Sequence, residues 1–167
     1  MERWDLRDGE GNLTGATMER GEHLRPGQYH LVVHIWVVDS AGRLLIQRRA
    51  PHLKLMPGIW AATGGSAVAG EDSRAAAGRE LYEELGIPTS GTDLEYAGRI
   101  RRRNSFTDIW ILRRDVELAS LRLQPEEVAD ARWVTREELM RMVAQRSFHH
   151  YGRPYFETVM NHIDSHT

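Results

Sequence analysis

The chain is 167 residues long and contains no cysteine, which excludes disulfide bonds and thiol chemistry. Its 22 basic residues include a single lysine, Lys54, and the formal net charge of −2 excludes the strongly basic surface that nucleic-acid binding requires. No apolar run approaches the ~18 residues of a membrane-spanning helix, and the opening residues MERWDLRDGEGN lack the apolar centre of a signal peptide. We therefore expect a cytoplasmic protein that binds neither a nucleic acid duplex nor a membrane.

The composition is that of a globular protein with one core. Hydrophobic residues make up 41% of the chain and charged residues 28%, and both fractions are usual for a globular domain. A chain of this length can form a single core, and no repeat, low-complexity tract or long linker divides it. We therefore predict one domain over residues 1–167.

Apolar runs and turn residues along the chain predict a protein of mixed helices and strands. The run LVVHIWVV is nearly unbroken and indicates a buried central strand. The predicted elements are an N-terminal hairpin (4–7 and 13–17), a strand over 31–38 with its hairpin partner at 43–49, a loop over 51–58, a short strand at 59–63, a helix that begins at Asp72 or Ser73 and ends at Gly86, strands at 94–103, 107–116 and 131–134, a helix from Thr135 with Glu138 in a capping box, and a last helix over 154–163.

Three glutamates in the first predicted helix are the main functional signal. Glu80, Glu83 and Glu84 stand at i, i+3 and i+4, so their carboxylates share one face of a helix. Leu81 and Leu85 fall on the other side, which can pack against a core. Like charges this close destabilise a bare helix by a few tenths of a kcal/mol per pair. A divalent cation relieves that repulsion, since Mg²⁺ and Mn²⁺ prefer hard carboxylate oxygens.

A solvated acidic face is the alternative interpretation of three neighbouring acids. The spacing of the surrounding residues argues against it, because Gly65, Glu71, Arg79 and Gly86 also stand at defined intervals in GSAVAGEDSRAAAGRELYEELGI. This segment, residues 65–87, resembles the signature box of the Nudix hydrolases at every defined position. The resemblance implies an α/β fold, an α/β/α sandwich with a central mixed sheet, to which the predicted N-terminal β-hairpin is added.

The resemblance also implies an activity and roles for the box residues. Nudix hydrolases use Mg²⁺ or Mn²⁺ to cleave nucleoside diphosphates that are linked to another moiety, so a small-molecule diphosphate is the expected substrate. The implied metal site comprises the Gly64 carbonyl with Glu80, Glu83 and Glu84. Glu83 and Glu84 also count as catalytic, together with Arg79, whose planar guanidinium can orient a carboxylate.

The general base of such a hydrolysis is not determined by the helix. Glu127, in QPEEVADARW, resembles a further metal-binding or catalytic glutamate of some relatives, and we take it as the candidate. Glu126 is the rival, and two exposed loop acids without a role are an equal alternative.

Three basic side chains are candidates for substrate binding. Arg48 and Arg49 end a predicted strand, and since neighbouring strand residues point to opposite faces, one of them should face the substrate cleft. His30 precedes the buried strand, where a histidine is more often a structural residue than a ligand. The resemblance leaves a homodimer open.

Four further segments, WDLRDGEGNLTGATMERGE, YHLVVHIWVV, LLIQRRA and PGIW, are similar to the isopentenyl-diphosphate-isomerase-like branch of the Nudix proteins. His30 falls where true isomerases place a metal-binding histidine. The isomerase cysteine would lie near Gly64 and a second histidine near Ser66, and only Asp108 stands near the expected Glu-x-Glu. The isomerase is therefore the third alternative, after a hydrolase and a Nudix-fold sensor that binds a diphosphate metabolite without turnover.

Overall fold

The structure is a computed structural model that describes residues 1–165. The chain combines helices with a mixed central sheet, and β1 and β2 form an antiparallel hairpin, so the predicted α/β class with an N-terminal hairpin is confirmed. The elements are β1 (Arg3–Arg7), β2 (Leu13–Glu19), β3 (His30–Val38), β4 (Leu44–Arg49), β5 (Trp60–Ala61), β6 (Thr63–Ser66), α1 (Ser73–Leu85), β7 (Leu94–Arg101), β8 (Ser105–Arg113), β9 (Val128–Val134), α2 (Arg136–Ala144) and α3 (Arg153–Ser165), with a single 3₁₀ turn at Leu118–Ser120.

A mixed sheet of seven strands forms the centre of the protein, as predicted. Its central strand β3 pairs in parallel with β8 along its whole length, and β8 pairs antiparallel with β7. On the other side β3 meets β6 at residues 32–35 and β4 only where Val38 faces Leu44. β4 pairs mainly with β9 and with β5. The sheet is therefore split beside β3, with β4 at one end and β6 at the other.

The prediction that residues 43–49 pair with β3 as a hairpin holds only at the turn. β6 takes the place that the rest of such a hairpin would occupy. The residues of β6 are a weak indication of a strand, because Gly64 and Gly65 lie within it and glycine is uncommon inside strands. The strand predicted at 59–63 is in fact two short strands, β5 and β6.

The two faces of the sheet carry separate hydrophobic cores. Side chains of β3 alternate, so Val33 and Ile35 pack with α1, whereas Trp36 and Val38 pack with α2 and α3. This double burial explains why the strand is apolar at almost every position.

The helix ends follow the predicted caps. Asp72 is the N-cap of α1 and its carboxylate accepts a hydrogen bond of 2.8 Å from the Ala75 N–H, while Gly86 ends the helix in the left-handed conformation. Thr135 and Glu138 form a complete capping box at the start of α2. These caps fix where α1 begins, and hence where its acidic side chains lie.

The N-terminal hairpin, β1 and β2, closes over one end of β3. Trp4 stacks on His30 with ring centroids 4.1 Å apart and planes within 5° of parallel. The Arg3 carbonyl accepts from the Ala69 N–H at 2.7 Å, and Asp5 accepts from the Gly70 N–H at 2.8 Å. The hairpin is thus tied to the loop that precedes α1. Within residues 1–165, no helix combines the length and the apolar character that crossing a membrane would need.

Candidate active site

One end of the β3 face opposite α1 remains partly open. His30, Val32 and His34 alternate with the α1-facing residues and are half-buried, whereas Trp36, next on the same face, is fully buried beneath α3. Ser66 and Gly64 of β6 lie directly beside Val32 and His34. An open patch of sheet therefore adjoins the glycine-containing strand.

The glycines of β6 allow close contacts on both faces of this strand. A Cβ on Gly65 would lie 2.5 Å from the Glu80 Oε1, so the carboxylate would have to move. A Cβ on Gly64 would clash first with the Val33 carbonyl oxygen and would also lie 2.7 Å from the His34 Cδ2. Glycine is therefore needed at these positions because the β3 backbone, a β3 imidazole and a helix carboxylate all approach the strand closely.

Glu84 is buried, although a helix carboxylate of this kind usually faces solvent. Its Oε1 accepts hydrogen bonds from Gln47 Nε2 at 2.8 Å and from the Gly64 N–H at 3.3 Å. Burial raises the pKa of Glu84 to about 8, and the nearby charges of Glu80 and Glu127 act in the same direction. Burial likewise raises the pKa of Glu80 to about 7. For both carboxylates the effect of burial outweighs the hydrogen bonds and charges that favour the ionised form.

Arg79 supplies most of the positive charge among these acids. Its guanidinium holds Glu71 through two hydrogen bonds of 2.7 and 2.9 Å, and it also contacts Glu80 at 3.1 Å and Glu83 at 3.2 Å. A further hydrogen bond of 3.2 Å goes to the Ser66 carbonyl. Arg79 therefore joins the loop before α1, the acidic face of α1 and the end of β6.

The proposed ligands fit a hard divalent cation chemically, but their side chains do not converge in advance. No three His, Asp or Glu side chains within residues 1–165 are grouped closely enough to form a ready metal site. Glu83 is exposed and paired with Arg79, while Glu84 turns towards Gln47. One buried and one half-buried carboxylate, Glu84 and Glu80, both have raised pKa values and lie beside the glycines of β6, and these features favour a cation here.

The structure distinguishes the two candidate bases. Glu127 is half-buried and lies close enough to Glu84 to raise the pKa of that carboxyl group. Glu126 is exposed, and its carbonyl accepts a 2.8 Å hydrogen bond from His52 Nε2. Glu127 is thus the member of the pair that is placed beside the acidic cluster.

The predicted substrate-binding residues differ in position. Arg49 is half-buried, and its charge acts together with burial and Arg102 to lower the pKa of His149. Arg48 is exposed and its Nε donates to the Gly58 carbonyl at 2.9 Å. His30 lies under Trp4, 3.4 Å from Ser66 Oγ, and burial lowers its pKa to about 4. The Arg49 Nε donates to the Leu55 carbonyl at 2.9 Å, and Arg49 is the arginine of the pair whose charge acts on His149.

A cluster that sequence reasoning missed borders Gly64 on the α3 side. His34 contacts the ring of Tyr151 at 4.9 Å and hydrogen-bonds Tyr155, while His149 packs edge-on against Tyr151 at 4.5 Å. His149 is half-buried, because it packs against Tyr151 in the segment before α3. Only His34 carried a sequence signal, since it shares the strand face of Trp36.

Comparison with known proteins assigns the fold and the family. The model of the NUDIX domain matches residues 28–156. An uncharacterized Nudix hydrolase of Listeria monocytogenes is 44% identical over 159 residues, which cover 93% of this chain and 90% of the relative. An isopentenyl-diphosphate Delta-isomerase of Streptomyces avermitilis is 33% identical, covering 94% and 81%. A crystal structure of a Deinococcus radiodurans protein superposes with a TM-score of 0.74 at 24% identity, covering 86% of this chain and 90% of that one.

Proposed function

The chain belongs to the NUDIX domain family and is a Nudix-type hydrolase, and we propose that it cleaves the diphosphate linkage of a nucleoside diphosphate derivative, or of a related diphosphate metabolite, with Mg²⁺ or Mn²⁺. The observation that carries this proposal is the placement of the buried Glu84 and the half-buried Glu80 against the glycine positions 64 and 65 of β6. Two such carboxylates are costly for the protein alone and favourable around a divalent cation.

The residues that would hold the cation are the Gly64 carbonyl, Glu80, Glu83 and Glu84. When bound, a divalent cation neutralises phosphate charge and lowers the pKa of water. Binding would require Glu80 and Glu83 to share their oxygens with Arg79, which now contacts both. Two hydrogen bonds to Glu71 hold the Arg79 guanidinium in place. We propose that Arg79, fixed in this way, keeps the carboxylates of Glu80 and Glu83 oriented.

The remaining chemistry is a water attack on phosphorus, for which a proton acceptor is needed. We propose that the Glu127 carboxylate takes this proton as the new P–O bond forms and the bridging P–O bond breaks. The two products are phosphorylated fragments. Gln47 and the Gly64 N–H hold Glu84 in place meanwhile, and the charge of Arg49 favours the approach of an anionic substrate.

Two other functions are less well supported. A sensor that binds a diphosphate without turnover would not need the complete acid set of Glu80, Glu83 and Glu84 with Glu127 beside it. An isopentenyl-diphosphate isomerase is disfavoured although an isomerase is among the relatives, because carbon protonation there would need the thiol and imidazole that Gly64 and Ser66 replace. The chain contains no cysteine at all.

The test is a panel of nucleoside diphosphate derivatives and other diphosphates, incubated with Mg²⁺ or Mn²⁺ and assayed for released phosphomonoesters. We expect turnover of at least one compound, abolished by chelation and restored when metal is returned. Saturable binding without product in any metal would establish the sensor instead. Isopentenyl diphosphate is included in D₂O, where NMR detection of deuterium in the carbon skeleton would establish the isomerase.

A further inference from the structure

We propose that His34 is a substrate-binding residue of this site, and that its Nε2–H donates a hydrogen bond to a phosphoryl oxygen of the diphosphate. This inference rests on the proposed function, since it concerns the same cleft. It goes further by assigning a role to a residue outside the box and by specifying which ring nitrogen carries the proton.

A hydrogen-bonded chain determines the tautomer of His34. Trp36 Nε1 can only donate, and it donates to the Tyr155 hydroxyl at 2.8 Å. The Tyr155 hydroxyl lies 2.7 Å from His34 Nδ1. If the Tyr155 hydroxyl donates to Nδ1, each group in the chain is satisfied. An Nδ1–H could instead donate to the hydroxyl oxygen, but the buried hydroxyl proton of Tyr155 would then have no acceptor among the groups of this chain. We therefore assign the neutral ring with its proton on Nε2.

The free edge of the ring points to the proposed reaction centre. His34 Cδ2, which adjoins Nε2, would be 2.7 Å from a Cβ on Gly64, so this edge faces the backbone of β6. Within residues 1–165, the one fully buried side-chain nitrogen or oxygen that lacks a hydrogen-bond partner is Arg7 Nε. His34 Nε2 has no protein partner in that part of the chain either, and because it is not among the fully buried atoms, it keeps some contact with solvent although most of the ring is buried. An oriented donor is thus left available beside Gly64.

The surroundings select an anionic acceptor for this donor. The charge of Arg102 acts on His34, and the charges of Arg102 and Arg49 act on His149, whose own pKa is lowered by burial and by these two arginines. The Arg102 guanidinium lies 5.8 Å from the centre of the Tyr155 ring. Positive charge therefore collects on the α3 side of Gly64, whereas Glu80 and Glu84 approach from the α1 side. A diphosphate lying across Gly64 would meet the cation-binding acids on one side and His34 with the arginines on the other.

The rigidity of the donor is what makes it useful. Tyr155 is fully buried and its hydroxyl is itself held by Trp36, so the imidazole cannot turn without breaking its hydrogen bond to a fixed partner. A neutral donor that is already oriented loses little entropy when it binds a ligand. His34 should therefore contribute mainly to binding and placing the phosphoryl group.

The direct test is ¹⁵N NMR of the wild-type protein, with methylenediphosphonate and Mg²⁺ as a non-hydrolysable probe. Long-range ¹H–¹⁵N spectra should show His34 neutral, with Nε2 protonated and Nδ1 not, before the probe is added. The Nε2 and Hε2 signals should then shift in a saturable way. A ring protonated on Nδ1, or Nε2 signals that stay unchanged up to millimolar probe, would overturn the assignment.

Variants of His34 provide a second test on any substrate that the panel identifies. Asn places its amide near the position of Nδ1, and Gln places it near Nε2. We expect His34→Asn to lower kcat/KM about tenfold, the equivalent of about 1.4 kcal/mol, mainly by raising KM. His34→Gln should recover most of this loss. His23→Gln, at an exposed position, is the matched control and should behave as wild type.

The outcomes separate this inference from the proposed function. Turnover with equal kcat/KM in wild type, His34→Asn and His34→Gln would leave the hydrolase intact and remove His34 from the cleft. Absence of turnover together with a saturable Nε2 shift would keep His34 as a phosphate-binding residue in a sensor. Tyr155→Phe adds an internal check, because loss of the hydroxyl should populate the Nδ1–H tautomer in the same spectra.

Discussion

At the scale of the residue, Glu84 shows how the protein tolerates a buried acid. Its carboxylate has two hydrogen-bond donors, Gln47 and the Gly64 N–H, but no basic side chain is in ion-pair contact with it in the described part of the chain. Hydrogen bonds from neutral donors offset only part of the free energy of burying a charge. The negative charge that these donors do not compensate can stabilise a bound cation.

Replacement of Glu84 by Gln should separate the effect of the negative charge on activity from the effect of side-chain packing on stability. The amide oxygen can still accept from Gln47 and from Gly64, so the melting temperature of the metal-free protein should hold or rise slightly. Loss of a ligand charge should lower kcat by at least about 10²-fold, or roughly 3 kcal/mol of transition-state stabilisation. Steady-state kinetics with Mg²⁺ and thermal unfolding in EDTA measure the two effects.

Glu126→Gln is the matched control for that substitution. Glu126 is exposed and contributes its carbonyl, not its carboxylate, to the contact with His52. The variant should retain full activity and stability. Full activity in Glu84→Gln would remove Glu84 from the cation-binding set.

At the scale of the element, the short strand β6 is the feature that joins helix and sheet. It occupies the split beside β3, and its two glycines leave room for side chains that approach from both faces. The sequence reading placed these glycines after a strand rather than in one, because propensity alone disfavours glycine there. Close approach of Glu80 outweighs that propensity.

Addition of a single methyl group to β6 should therefore disable the site. In Gly65→Ala the new Cβ would lie 2.5 Å from Glu80 Oε1, so the carboxylate must move away. We expect kcat/KM to fall about 10- to 100-fold with a loss of at most about 2 kcal/mol in stability. Kinetics and urea unfolding of the same preparation provide the comparison.

Gly78→Ala in α1 is the control of identical chemistry. Its Cβ would meet only the Thr89 hydroxyl at 3.0 Å, at the end of a side chain that can turn. Alanine favours the helix by about 1 kcal/mol over glycine, so this variant should be as stable as wild type or more so, and fully active. Equal kinetics in both alanine variants would show that the approach to Gly65 is unimportant for the reaction.

At the scale of the whole molecule, both faces of the sheet are covered by different parts of the chain. α1 covers one face, α2 and α3 cover most of the other, and the N-terminal hairpin closes the end at His30. His30 and His34 are thereby enclosed, and the groups around them do little to stabilise a protonated, positively charged ring. Burial lowers the pKa of His30 to about 4 and that of His34 to about 3.

The free energy of unfolding should decrease at acid pH because of His30. The folded pKa lies below the value of about 6.5 in the unfolded chain, so its contribution to stability is complete above pH 6.5. The contribution is lost as the pH falls towards 4, because the unfolded chain then binds the additional proton. Glu80 and Glu84 act in the opposite direction in metal-free protein, since their pKa values are raised.

A comparison with His30→Asn isolates the histidine from these carboxylates. The difference in unfolding free energy between wild type and variant should shrink by about 1 kcal/mol between pH 7.5 and pH 5, after allowance for partial solvent contact. Urea unfolding in EDTA at the two pH values measures it. A difference that stays constant would mean that His30 titrates normally in the folded protein.

The sequence by itself determined the α/β class, the helix caps and the Nudix family. These features are local: Asp72, Gly86 and the Thr135–Glu138 box act within one turn, and the box spacing places Glu80, Glu83 and Glu84 on one helix. The apolar run of β3 also predicted a strand buried on both faces. Each of these conclusions depends on residues a few positions apart, so no knowledge of distant contacts was needed.

Only the tertiary structure decided which side chains meet at the site. Glu84 is buried because Gln47 and Gly64, which are distant in sequence, close over it, and Glu127 rather than Glu126 lies beside it. His34 receives its tautomer from Tyr155, 121 residues away. Burial and hydrogen-bond partners across such separations depend on how the sheet is split and how the chain returns to it, and no local pattern of residues encodes that arrangement.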